Sequence, residues 1–148
     1  MFSTEVQIKK LNPNAVTPTY GTHESAGADL YAAIDESLTL EPNQTVLVKT
    51  GLAMEIPSGL VGLIFARSGL ATKRGLAPAN KVAVIDSDYR GEFMVPLHNH
   101  SNQPQTIEPG ERLAQIVFVP YIAGIFREVS ELNSTERGVG GFGSTGTK

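Results

Sequence analysis

Cysteine is absent from all 148 residues. Its absence excludes a disulfide framework, a thiolate nucleophile and every zinc site built on sulfur, and it suits a reducing compartment. Charge is sparse as well: Asp, Glu, Lys and Arg together make up 18% of the chain, too little for a coiled coil or a disordered polyelectrolyte. Twelve cationic against fifteen acidic residues give a formal charge of −3, so there is no field to gather nucleic acid non-specifically, and any phosphate binding has to be local. No basic leader precedes an apolar run at the N-terminus. The longest apolar stretch, Ile116 to Phe126, is interrupted by Pro120 and too short to span a bilayer. The expectation is a soluble, cytoplasmic protein with neither membrane nor nucleic acid as a partner.

Helical periodicity is also missing. No window keeps the 3.6-residue apolar repeat for three turns without a Gly or Pro inside it. What is present is a 41% hydrophobic chain of single-domain size in which fifteen Gly and nine Pro punctuate runs of Val, Ile, Leu and Phe. These runs predict strands over 6–11, 29–33, 45–49, 52–56, 60–66, 81–85, 92–99, 105–107, 112–120 and 125–129. Ten short strands point to an all-β sandwich or barrel. One turn of helix is predicted over 68–74, capped by Ser68 and ended by Gly75. Pro57-Ser-Gly59 and Glu108-Pro-Gly-Glu111 read as tight turns. Residues 1–132 form the domain. Residues 133–148, with five glycines between Gly138 and Gly146, form a separate mobile arm.

Several segments carry residues suited to chemistry. Gly138, Gly140 and Gly143 match a dinucleotide fingerprint, but only five residues follow, too few for the helix and returning strand that such a site needs. The segment reads either as a solubilising tail or as an arm closing over an anion, since glycine lets main-chain N–H groups approach phosphate oxygens. Asp86-Ser-Asp-Tyr-Arg-Gly91 fails as a calcium loop, with Arg90 and Leu97 at ligand positions. It reads either as a hairpin turn between 82–85 and 92–97 or as a carboxylate placed at a strand end to take a proton from water. Ala66-Arg-Ser-Gly-Leu70 reads either as a capped surface turn or as an anion cradle of guanidinium, hydroxyl and amides. His98 and His100 share a face of an extended strand, yet no third ligand accompanies them.

Five segments in order resemble the deoxyuridine triphosphatase family: Ala26-Gly-Ala-Asp-Leu-Tyr-Ala32, Ala66-Arg-Ser-Gly-Leu-Ala71, Asn80 to Gly91, Pro109-Gly-Glu-Arg-Leu-Ala-Gln115, and Arg137 to Gly146. The resemblance implies a distorted jelly-roll or β-barrel, assembled as a homotrimer whose sites are shared among three subunits, that hydrolyses dUTP to dUMP and pyrophosphate with Mg2+. By the same resemblance Asp86 is the base that deprotonates the attacking water, and Asp29 faces the metal through water. Arg67, Ser68 and Gly69 contact the phosphates, and Gln115 holds phosphate or the water. Arg137, Gly143, Ser144 and Thr145 wrap the distal phosphate while Phe142 stacks on uracil. Asn80, with the main chain of Val84, Ile85 and Met94, forms a pocket selecting uracil, and Tyr89 packs on the deoxyribose.

Ala83 departs from the pattern, standing where the family has glycine; if that glycine serves a positive φ or a close approach, the added methyl would shift the uracil contacts. An arm starting near Asn133 reaches on the order of 50 Å when extended, enough to cover a neighbouring site. Deaminases acting on dCTP share the fold and several motifs but typically lack so full a glycine-rich ending, and a non-enzymatic nucleotide-binding regulator is the other alternative.

Overall fold

The computed structural model describes residues 3–142. Among them are twelve strands and one helix in chain order: β1 (Gln7–Lys10), β2 (Thr19–Tyr20), β3 (Ala28–Tyr31), β4 (Leu38–Leu40), β5 (Thr45–Lys49), β6 (Leu52–Glu55), β7 (Leu60–Ala66), α1 (Ser68–Arg74), β8 (Leu76–Pro78), β9 (Ala83–Ile85), β10 (Met94–Asn99), β11 (Gln105–Ile107) and β12 (Arg112–Pro120). The largest sheet has the order β2-β3-β12-β7-β9. A three-stranded sheet runs β5-β10-β8, and β1-β6 and β11-β4 form two further pairs. Every pairing is antiparallel. The result is an all-β, jelly-roll-like arrangement in which no closed barrel forms among the described residues.

The runs of β-branched and aromatic residues at 45–49, 60–66, 105–107 and 112–120 become strands with the expected bounds. β2, β4 and β8 are not expected from the sequence; β4 forms by pairing with β11 and β8 by pairing with β10. The strand predicted over 125–129 does not form. That segment is extended and unpaired, with Ile125 and Phe126 98% and 99% exposed. Nor do β9 and β10 make the expected hairpin ladder: β9 pairs with β7, while β10 pairs with β5 and β8, so residues 86–93 cross between two sheets.

The core lies between the sheets, and its largest fully buried side chains include Phe93, Leu30, Leu52, Ile64, Leu97 and Leu113. Each such side chain contributes roughly 1.5–3 kcal/mol by leaving water. The buried Asn99 is fully engaged: Nδ2 donates to the carbonyls of Leu40 (3.0 Å) and Gln103 (2.8 Å), and Oδ1 accepts from Ser101. It thereby stitches β10 to β4. No helix among the described residues is long and apolar enough to cross a membrane.

Candidate active site

The register of the large sheet sets one row of side chains. Asp29 on β3 stands opposite Gln115 on β12, which stands opposite Phe65 on β7. All three therefore project to one face, and they line a cleft of about 500 Å³ together with Gly27, Arg67, Ser68, Gly69 and Arg112. Side chains from three strands distant in sequence meet here because β12 lies between β3 and β7.

Arg67 ends the row. It is the N-cap of α1, in extended backbone with φ −85 and ψ 131, and it makes no side-chain cap. This corrects the expectation that Ser68 caps the helix: Ser68 is already helical, and its carbonyl accepts the Thr72 hydroxyl at 2.8 Å. The first helical backbone bond runs from Ala71 N–H to the Arg67 carbonyl, so the amides of Ser68 and Gly69, two residues that line the cleft, stay outside the helical ladder. Gly75 ends the helix as expected, at φ 66, a left-handed cap that glycine adopts without a steric penalty.

Two guanidiniums converge on Asp29. Arg67 Nε lies 2.7 Å from Oδ1 and Arg112 Nη1 lies 3.2 Å from Oδ2, and the carboxylate side chain is only 12% exposed. Two cations against one anion leave the cleft with net positive charge, which suits a polyanionic ligand. Gln115 is also fixed. Its Nε2 donates to the Ala66 carbonyl at 2.9 Å, and a β-carbon on Gly27 would come within 2.5 Å of its Oε1. Glycine at 27 is what leaves room for the amide. At the far end of α1, Arg74 bonds Gln105, Glu111 and the Thr106 carbonyl, tying the helix to the turn that precedes Arg112. Sequence reading missed Arg112, Gly27 and Arg74; the first two stand inside quoted motifs, but only the folded register shows what they touch.

A second group of expected site residues lies elsewhere on the chain. Asn80, Val84, Ile85, Asp86, Tyr89 and Met94 do not line the cleft. Asn80 precedes a three-residue turn closed by Val82 N–H to the Asn80 carbonyl (2.7 Å), with Lys81 at φ 65. Asp86 is exposed, just after β9. The Tyr89 ring packs on Phe93, with centroids 5.9 Å apart, and its hydroxyl donates to the Glu92 carbonyl. Ala83 is a β9 strand residue paired with Ile64, with no positive φ and with its methyl in the core, so alanine meets no backbone strain there. Among the described residues Arg137 bonds within its own turn, Nε donating to the Gly140 carbonyl at 2.8 Å, and Phe142 is fully exposed. Gly143, Ser144 and Thr145 lie outside the described residues.

Among the described residues no group of three or more His, Asp or Glu could cage a metal. His98 and His100 do share a face, with ring centroids 4.3 Å apart, and His98 Nδ1 is engaged by Thr45 Oγ1 at 2.7 Å.

A jelly-roll-like all-β fold carrying a cationic cleft at a strand-to-helix junction defines an all-β protein with a candidate anion-binding site. The comparisons with known proteins sharpen that class. A family model described as dUTPase matches residues 13–146. The deoxyuridine 5'-triphosphate nucleotidohydrolase of Desulfitobacterium hafniense (strain DSM 10664 / DCB-2) is 53% identical over 87% of this chain and 86% of its own length. That of Acinetobacter baylyi is 48% identical over 97% and 99%. Among solved structures, the Staphylococcus bacteriophage 80alpha dUTPase with dUpNHpp superposes with a TM-score of 0.88 at 31% identity, covering 97% of this chain and 99% of that one. A dUTPase from phage phi11 of S. aureus, described with a structural Mg(II) ion, superposes at 0.80 with 27% identity over 88% and 100%. The chain belongs to the dUTPase family.

Proposed function

We propose that the protein hydrolyses dUTP to dUMP and pyrophosphate, with the triphosphate lying along the Arg67–Ser68–Gly69 junction and Gln115. The observation that carries this reading is the cleft itself: two Asp29-bound guanidiniums, helix-start amides and a fixed glutamine amide, all on one face. In-line phosphoryl transfer asks for little beyond positioning and charge neutralisation, and these groups supply both. Asp86 accepts a proton from the attacking water as its oxygen bonds the α-phosphorus. The bond from that phosphorus to the bridging oxygen breaks, and pyrophosphate leaves with the electron pair.

Magnesium fits as an ion carried by the triphosphate rather than one caged by protein. Among the described residues Asp29 is the one acidic residue lining the cleft, and its oxygens retain lone pairs for an ion-bound water beyond the two arginine bonds. When bound, the ion would neutralise phosphate charge.

Asn80 and the main chain of Val84, Ile85 and Met94 select uracil, Tyr89 packs on the deoxyribose, and Arg137, Phe142, Gly143, Ser144 and Thr145 close the site. A site drawn from several copies of the chain accounts for the separation of this group from the phosphate cleft. Supporting a homotrimer, residues 122–132 expose Ile122, Ile125, Phe126 and Leu132, an apolar stretch of the kind that marks a protein–protein contact.

The test is magnesium-dependent pyrophosphate release across dUTP, dCTP and the common deoxynucleotides, for the native sequence and Asp86→Asn. Pyrophosphate from dUTP alone is expected, falling by orders of magnitude in Asp86→Asn while dUpNHpp still binds. Ammonia from dCTP without pyrophosphate, or full turnover in Asp86→Asn, would overturn the reading.

A further inference from the structure

α1 meets the cleft with its first residues and has little of its own to hold it there. It has seven residues, far fewer than a helix needs to stand alone, and Leu70 is the one buried side chain among them. Its ends therefore fix its axis. At the start it continues from β7 through Arg67. At the far end the His100 amide donates to the Gly75 carbonyl at 2.8 Å, a single bond about which the helix can still turn. Arg74 removes that freedom. Its Nε donates to Gln105 Oε1 at 3.1 Å, its Nη1 to Glu111 Oε1 and its Nη2 to the Thr106 carbonyl, so every nitrogen of the planar group is engaged at once.

The acceptors on the other side belong to the strands that build the cleft. Glu111 Oε2 accepts the Glu108 amide at 3.0 Å, which closes the turn ahead of β12. The same turn is bonded to the end of β3: Ala32 N–H donates to the Glu111 carbonyl and Gly110 N–H to the Ala32 carbonyl, each at 2.8 Å. Beyond the turn the β12 ladder is interrupted. Arg112 pairs with Tyr31 and Ala114 with Leu30, so Leu113 is an extra residue, and pairing with β7 starts only at Ala114. The start of β12 thus relies on the turn and on Arg74 for its position toward α1. Through Glu111 one guanidinium joins the three elements that bring Ser68 and Gly69, Asp29, and Gln115 to the cleft, although Arg74 itself does not line it.

The geometry of the helix makes this hold consequential. Leu70 lies two residues from Ser68 and four from Arg74, so a helix pivoting there moves Ser68 by about half of any displacement at Arg74. A shift of about 1 Å at one end becomes about 0.5 Å at the other, the tolerance of a pre-organised site. Arg67 and Gln115 would still hold the ground-state phosphates, while the misplaced amides would lose the charge that develops in the transition state.

We propose that Arg74 is a positioning residue for the reaction, acting through Glu111 to hold the start of α1 in register with β3 and β12. This rests on the dUTPase reading above. The experiment measures kcat and KM for dUTP separately, well below every melting midpoint, for the native sequence, Arg74→Met, Arg74→Lys, Glu111→Gln and the double variant Arg74→Met/Glu111→Gln. The expected result is a kcat about 10-fold lower in Arg74→Met with KM within about threefold. Arg74→Lys should recover part of the loss, because one ammonium cannot span three acceptors. The double variant should be no slower than the slower single one, since both break the same link. A lowered melting midpoint with unchanged kcat would mark Arg74 as structural only, and additive losses would show that it does not act through Glu111; either overturns the proposal. Should Arg74→Met fail to fold, an unchanged kcat in Arg74→Lys would overturn it equally. A native protein that does not turn over dUTP would overturn the dUTPase reading instead.

Discussion

Gly27 shows how much a single residue decides in this cleft. Its missing side chain is the space into which Gln115 is turned, and Gln115 is otherwise committed to the Ala66 carbonyl. In Gly27→Ala the glutamine amide must swing out while the strand itself is undisturbed. We expect kcat/KM for dUTP to fall about 100-fold, the scale of a small misplacement of a positioning group, with the thermal midpoint nearly unchanged; steady-state kinetics and a melting curve together check this. Asp29 makes the complementary point. A sequence offers it as a bare carboxylate, for which a metal is a natural partner, whereas the fold surrounds it with Arg67 and Arg112. Neither arginine is near it in sequence, so no spacing could have announced the pair.

Elements carry the next layer. Residues 86–93 cross from the sheet of β9 to that of β10, and Phe93, 1% exposed, anchors the crossing. Its amide donates to the Leu52 carbonyl at 2.8 Å and its ring supports Tyr89. Phe93→Ala should cost about 3–5 kcal/mol, read as a lowered denaturant midpoint. At the end of β10, His100 is held below its usual 6.5 by partial loss of water, then by the charges of His98 and Lys81. With the folded value depressed, the unfolded chain takes up the proton first. Stability is therefore unaffected well above pH 6.5 and declines as pH falls through that value. Thermal unfolding between pH 7.5 and 5.5 should show a shallower loss in His100→Gln than in the native sequence.

On the scale of the whole molecule, the described site is divided. The cationic cleft, the proposed phosphate site, sits at the β7–α1 junction, while Asn80, Asp86 and Tyr89 follow β8 and β9 and do not line it. Residues 122–132 leave their apolar side chains uncovered. Replacing Ile125 and Phe126 with Asp should therefore yield a smaller species by light scattering and abolish turnover. Removing residues 137–148 should preserve the proposed trimer while suppressing turnover; unchanged kinetics would show the arm to be dispensable.

Composition and local pattern were enough for an all-β class, for most strand positions and for the helix at 68–74, because alternation, turn chemistry and a glycine stop act within a few residues. The motifs also held Asp29, Arg67, Ser68, Gly69 and Gln115, which the fold gathers in one cleft. Three strands, the crossing at 86–93, the bulge at Leu113 and the two-arginine hold on Asp29 depend on which strands become neighbours. Partner choice is settled by burial over the whole chain, and a one-residue shift in pairing reverses every side chain beyond it, so these features exist only once the sheet has closed around its core.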